Sequence, residues 1–140
     1  GGFSVYALAG GAKEVCSILK NEGIYFSIPL RSEKPEEIRT DLEENLRLCD
    51  GLIVVYGNTT QAWVRRQVRQ AQKALALRET PAMMRGICLA PPEYNKDLQD
   101  PVGMNLDAVL DCMQGVKKEE IHKFIERVRE SVVPSSPVAN

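Results

Sequence analysis

The chain has 140 residues, of which 44% are hydrophobic and 26% are charged, and its formal net charge is -1. This length and composition predict one folded domain with its own core and exclude a largely disordered chain. The small net charge provides no overall field for nucleic acid or an anionic membrane, and no apolar run approaches the roughly 18 residues of a membrane span, so we expect neither partner.

Strand and helix patterns alternate from the start of the chain. Residues 3–9 predict a first strand, which Gly10 breaks. Apolar residues at helical spacing then predict a first helix that ends at Gly23, where glycine is free to adopt a left-handed conformation. Residues 24–28 predict a second strand, and a charged loop follows at 30–35. The proline at the end of this loop suits the first turn of a second helix.

The centre of the chain carries the strongest pattern. The second helix is predicted from an apolar stripe of Ile38, Leu42, Leu46 and Cys49. Residues 52–56 are continuously apolar, rich in β-branched side chains and bounded by glycines, which predicts a third strand buried on both faces. Gly57 and Asn58 end this strand, and a long third helix is predicted from about Thr60 to Leu77.

Two further strands are predicted at 86–90 and 106–111, and a last helix opens at Lys117. Residues 134–140 are expected to be a tail or linker, which leaves a domain at 1–133. Alternating strands and helices require right-handed crossovers and a parallel sheet covered on both faces. We therefore expect a flavodoxin-like α/β fold with five parallel strands in the order 2-1-3-4-5.

A ligand site is predicted where the strand order reverses, outside the carboxyl ends of strands 1 and 3. This topology brings Ala9 and Gly10 beside Gly57 and Asn58, with Arg31 arriving from the loop after strand 2. Small residues before a helix leave backbone N–H groups open to an anion or a polar ligand. A plain strand-to-helix turn is the alternative interpretation of the same residues.

Other side chains limit the chemistry. Arg65, Arg69 and Lys73 recur every four residues on the third helix, which indicates either a solvated face or a contact surface for an acidic partner. Four widely spaced cysteines without a Cys-x-x-Cys motif favour buried, reduced thiols and a cytoplasmic location. Because His122 is the single histidine, a histidine-based triad and a multi-histidine metal site are excluded, and we expect no metal.

Three segments, at 44–57, 62–65 and 88–92, resemble the Toll/interleukin-1 receptor (TIR) domain. The likeness is to the bacterial type found joined to STAND-type NTPase or repeat modules, and it extends over roughly residues 3–132. The first strand departs from the family, which places Ser or Asp where this chain has Ala9 and Gly10. A phosphoacceptor receiver domain fits poorly, since its acidic residues are absent from the ends of strands 1 and 3.

The resemblance implies a signalling and interaction domain of a larger intracellular bacterial protein with a role in immunity. Its partners would be other TIR domains, by self-association, and the attached sensor, NTPase or repeat modules. In the family the loop after strand 2 mediates assembly, and here this loop contributes Arg31, Ser32, Glu33, Lys34 and Pro35. No cofactor is implied as a requirement, while NAD is implied as a possible ligand or substrate.

Many family members are NAD glycohydrolases that cleave the nicotinamide–ribose bond with a Glu four residues after a Trp. Trp63 matches the Trp, and Gln67 stands at the position of the Glu. A neutral amide cannot supply the carboxylate charge that stabilises an oxocarbenium-like transition state. The resemblance therefore implies an interaction domain first, with weak or absent NAD cleavage as the alternative. Trp63 itself is expected either to stack on a ligand ring or to pack the helix onto the sheet.

Overall fold

The computed structural model describes residues 4–8, 13–27, 33–77, 84–92, 96 and 106–132. In these ranges the elements are β1 (Ser4–Leu8), α1 (Lys13–Asn21), β2 (Tyr25–Ser27), α2 (Pro35–Leu48), β3 (Gly51–Tyr56), α3 (Gln61–Leu75), β4 (Met84–Leu89), β5 (Ala108–Asp111) and α4 (Lys118–Val132). The strands form one sheet in the order β2-β1-β3-β4-β5, and the pairings are parallel. The predicted α/β class with a parallel sheet is confirmed, and this order has the numbering 2-1-3-4-5 of the flavodoxin-like arrangement.

Helices cover both faces of the sheet. Alternate strand residues point to opposite faces, so Val55 belongs to the core cluster that α1 and α4 complete, while Tyr56 belongs to the cluster that α2 and α3 complete. All six residues of β3 are buried, as expected for a central strand between two helical layers. In the described part of the chain, no helix has both the length and the apolar character that a membrane crossing requires.

Local signals in the sequence account for the helix ends. Gly23 has φ of 73° and donates its N–H to the Lys20 carbonyl at 3.0 Å, while Ile24 donates to the Leu19 carbonyl at 2.9 Å. These paired bonds form a Schellman motif, which confirms the predicted stop at Gly23. Thr60 precedes α3, and its hydroxyl accepts the Trp63 N–H at 3.0 Å. A threonine in this role satisfies one of the unpaired N–H groups of the first turn.

Two glycines allow α4 to lie directly on the sheet. A β-carbon on Gly86 would lie 2.6 Å from Cε1 of Phe124, and one on Gly51 would lie 2.8 Å from Cγ2 of Val128. Both distances are shorter than ordinary van der Waals contact between carbon atoms. The absence of side chains at these two positions therefore sets how closely α4 packs against β3 and β4.

The predicted strand boundaries need correction at β4 and β5. β4 begins at Met84 rather than at residue 86, because Met84 and Arg85 pair with the start of β3. β5 begins at Ala108 rather than at residue 106. Asp107 precedes β5 and contacts Arg85 through its side chain. Its carboxylate accepts the Arg85 N–H at 2.8 Å and lies 3.6 Å from the Arg85 guanidinium.

The apolar stripe of α2 is buried except at its first member. Leu42, Leu46 and Cys49 are buried, as expected, while Ile38 is 37% exposed. Ile38 lies one turn from the start of α2. Its exposure leaves an apolar side chain on the outer surface of the helix pair.

Candidate functional site

The carboxyl edge of the sheet contains a cavity of about 460 Å³. The end of β3 supplies Gly57 and Asn58, and the segments after β4 and β5 supply the opposite wall. The described lining residues are Glu14, Val15, Val55, Gly57, Asn58, Ala90, Pro91, Gly115 and Val116. Most of the lining residues are apolar or glycine, and Glu14 and Asn58 are the polar ones among those described. This combination suits a small organic ligand with hydrogen-bonding groups.

The start of α3 lies on the other face of the sheet. Trp63 is half-buried and packs against the core cluster between the sheet and the α2–α3 layer. Its backbone N–H is held by Thr60, so the indole is positioned by the helix cap as well as by the core. Contact with the core is what a structural role for Trp63 requires. Gln67 follows one turn later and is also half-buried.

The structure divides the predicted ligand residues between these two places. Gly57 and Asn58 line the cavity, whereas Trp63 and Gln67 are not among its described lining residues. Successive residues of a strand point to opposite faces of the sheet. Gly57, two residues after Val55, is therefore on the face that α1 and α4 cover, whereas α3, with Trp63 and Gln67, covers the opposite face. Ala9, Gly10 and Arg31 lie outside the described residues, so a pocket that joins them to Gln67 stays a prediction.

A groove runs along the outer surface between α2 and α3. Its first part, of about 480 Å³, is lined by Pro35, Glu36, Ile38, Arg39, Leu42, Glu43, Gln70, Lys73 and Ala74. Its second part, of about 270 Å³, is lined by Thr40, Glu43, Glu44, Arg47, Ala74 and Leu77. The two parts share Glu43 and Ala74 and are therefore adjacent, and we call them together the α2–α3 groove. The groove was not predicted from the sequence. The charged residues beside the apolar stripe of α2 are evident there, but the sequence does not show that α3 lies next to them.

The predicted interaction residues differ in exposure. Glu33, Lys34 and Pro35 are exposed at the end of the loop after β2, while Arg31 and Ser32 lie outside the described residues. Lys34 Nζ lies 3.8 Å from Glu37 Oε1. Pro35 lines the α2–α3 groove.

The basic stripe on α3 needs correction at its first member. Arg69 and Lys73 are exposed, but Arg65 is half-buried and its Nε is enclosed. Arg69 and Lys73 are therefore the members of the stripe whose side chains are most open to a partner. Lys73 also lines the α2–α3 groove, so this groove joins one predicted interaction surface to the other.

A polar network ties α2, which forms one wall of the groove, to β1. The Tyr6 hydroxyl donates to Asp41 Oδ2 at 3.4 Å, and the Asn45 amide donates to Asp41 Oδ1 at 3.1 Å. Burial and the adjacent Asp41 carboxylate raise the pKa of Tyr6 well above its usual value. Tyr6 therefore stays a neutral hydrogen-bond donor at any physiological pH. The network holds α2 in place and thereby supports one wall of the groove.

Two buried cysteines form a second polar contact, beside the start of α4. Cys112 Sγ accepts the Lys117 N–H at 3.3 Å, and it also interacts with the Cys88 thiol. The hydrogen bond from Cys88, together with that from Lys117, lowers the pKa of Cys112 to about 7. The same contact raises the pKa of Cys88. Both cysteines are free thiols, as the sequence predicted.

Lys96 is a residue that sequence reasoning missed. Its ammonium lies 4.5 Å from the centroid of the Tyr56 ring at the end of β3, and it donates to the Pro92 carbonyl. Burial lowers the pKa of Lys96. A single lysine carries no periodic signal in the sequence, so only the fold could bring it to the carboxyl edge of the sheet.

The described residues contain no group of three or more His, Cys, Asp or Glu side chains that could hold a metal ion. Comparison of the chain with protein-family models and with curated proteins finds no match in either set. The function proposed below therefore rests on the geometry of this chain and on the resemblance of its sequence segments.

Proposed function

We propose that this chain is a TIR-like signalling and interaction domain that assembles with other copies through the loop after β2 and the adjoining basic residues of α3. The observation that carries the proposal is the α2–α3 groove. Pro35, at the end of that loop, and Lys73, on α3, line the same groove together with the exposed Ile38. An apolar side chain surrounded by charged groups is the composition of a weak, selective protein contact.

The character of position 67 also supports an interaction role over catalysis. Gln67 is neutral, and its amide can form hydrogen bonds but cannot supply the negative charge that the family carboxylate contributes. Trp63, one turn before it, packs against the core. This part of α3 is therefore well suited to holding the helix on the sheet.

Sedimentation velocity of the chain over a wide concentration range tests the proposal. We expect weak self-association that Arg31→Glu, Lys34→Glu and Lys73→Glu each reduce. Lys123→Glu is the matched control, because Lys123 is an exposed lysine on α4, which covers the opposite face of the sheet. A strict monomer, or association that all four substitutions change equally, would refute the proposed surface.

Ligand binding at the carboxyl edge is a second candidate function, and the cavity beside Gly57 and Asn58 is the observation that favours it. A volume of about 460 Å³ lies within the range of small-molecule sites. In this alternative the chain binds NAD and cleaves its nicotinamide–ribose bond slowly or not at all. Calorimetric titration of NAD into the wild type and Asn58→Ala tests it. Binding that Asn58→Ala leaves unchanged would remove this cavity as the NAD site.

A further inference from the structure

The outer surface of α2 carries charges in a definite order along the α2–α3 groove. Glu36, Thr40, Glu43 and Arg47 are spaced by four, three and four residues, which places them on one face of the helix. Arg39 and Glu44 flank this face. All of these residues line the groove, and Glu36, Arg39 and Arg47 are exposed. From the start of α2 onward, the charges run negative, positive, negative, positive.

This order is complementary to itself when reversed. If a second α2 lies antiparallel across the groove, Glu36 of one copy faces Arg47 of the other, and Arg39 faces Glu43 and Glu44. Thr40 and Glu43 then lie near the two-fold axis. A parallel arrangement would instead place Glu36 against its own equivalent, which is repulsive, so the charges specify one orientation.

Apolar surface accompanies the charges at both ends of the groove. Ile38 in the first part is 37% exposed, and Leu77 in the second part is 70% exposed. Ala74, which both parts share, has a side chain small enough to leave room between the two helices. A second copy would cover Ile38 and Leu77 at the same time, because the two-fold axis exchanges the ends of the groove.

We propose that the α2–α3 groove is a two-fold interface that binds the same groove of a second copy of this chain, with the two α2 helices antiparallel. The inference rests on the proposed function and adds the orientation and the pairing residues. α2 has 14 residues, so it is about 21 Å long and, with its side chains, about 11 Å wide, and the face that it presents to a second copy is about 230 Å². Stable complexes bury about 800 Å² per partner, and this contact is therefore weak and transient.

Charge reversal separates this pairing from charge effects within one chain. Glu36→Arg places two arginines together at each end of the dimer, and Arg47→Glu places two glutamates there. We expect each variant alone to associate about tenfold more weakly than the wild type, since two equivalent ion pairs become repulsive. An equimolar mixture of the two variants restores opposite charges at both ends, and so does the double variant in one chain.

The recovery is diagnostic because of distance. Glu36 and Arg47 are eleven residues apart on one helix, about 16 Å, which is too far for a direct contact within a chain. Glu119→Arg is the matched control for Glu36→Arg, because both acids lie in the first turn of a helix. Sedimentation velocity at low and high salt measures the association, which weakens with salt as the pairs are screened.

Recovery by the mixture and by the double variant supports the two-fold interface. Weaker association in the single variants that neither the mixture nor the double variant restores overturns it. A wild type that stays monomeric also overturns it, and the groove would then bind a different protein. Association that Arg31→Glu and Lys34→Glu weaken but the α2 reversals do not change overturns this inference and leaves the proposed function standing. The reverse pattern overturns the loop as the assembly surface and leaves the two-fold pairing in place.

Discussion

Replacing Gly86 by alanine should destabilise the fold through a single contact. The new β-carbon would lie 2.6 Å from Cε1 and 3.0 Å from Cδ1 of Phe124. Phe124 is 2% exposed and cannot swing into solvent, so the ring or the whole of α4 must move. Adding a methyl group to a well-packed core costs about 1–3 kcal/mol. The conformational advantage of alanine over glycine, about 0.4–1 kcal/mol, offsets only part of that cost.

Urea unfolding followed by circular dichroism measures this change in the free energy of unfolding. Phe124→Leu removes the edge of the ring that the new β-carbon would meet, so the double variant should be less destabilised than the sum of the single variants. Gly23→Ala is the matched control, because no atom lies within 4 Å of its β-carbon position and its cost arises from φ of 73°. That variant should be additive with Phe124→Leu. A neutral Gly86→Ala, or one additive with Phe124→Leu, would contradict the close packing of α4 on β4.

Other substitutions test the site and the helix ends. If NAD binds in a pocket that Gln67 reaches, its turnover by the wild type should be absent or on the order of 100- to 1000-fold slower than in Gln67→Glu, because the amide lacks the stabilising charge. A nicotinamide-release assay that finds the two equal would place the reaction away from Gln67. Thr60→Ala should lower the free energy of unfolding by about 1 kcal/mol by removing the bond to the Trp63 N–H, while Thr59→Ala should change it little. Absorbance at 240 nm should show Cys112 ionising near pH 7, and Cys88→Ala should raise that pKa. The pKa of Cys112 is lower in the folded state than its unfolded value of about 8.5. Ionisation of Cys112 therefore increases the free energy of unfolding as pH rises from about 7 to 8.5, and this added stability is lost as pH falls through 7.

The sequence determined those features that depend on neighbouring residues. The left-handed turn at Gly23 and the proline-led start of α2 follow from local backbone preferences, and they were predictable for that reason. The buried run of β3 has a pattern that only a strand covered on both faces requires, so alternation of such strands with helices predicted the parallel α/β class.

Only the tertiary structure decided where surfaces meet. Met84 joins β4 because it pairs with β3, and Arg65 is half-buried rather than part of an exposed basic stripe. The α2–α3 groove and the contact of Lys96 with Tyr56 join residues that are far apart in the chain. Gly57 and Trp63 are six residues apart, yet they lie on opposite faces of the sheet. Gly57 follows β3 and lines the cavity, whereas Trp63 is on α3 and packs against the other core cluster. Sequence spacing describes one element at a time, whereas the face that an element presents is set by the partners against which it packs.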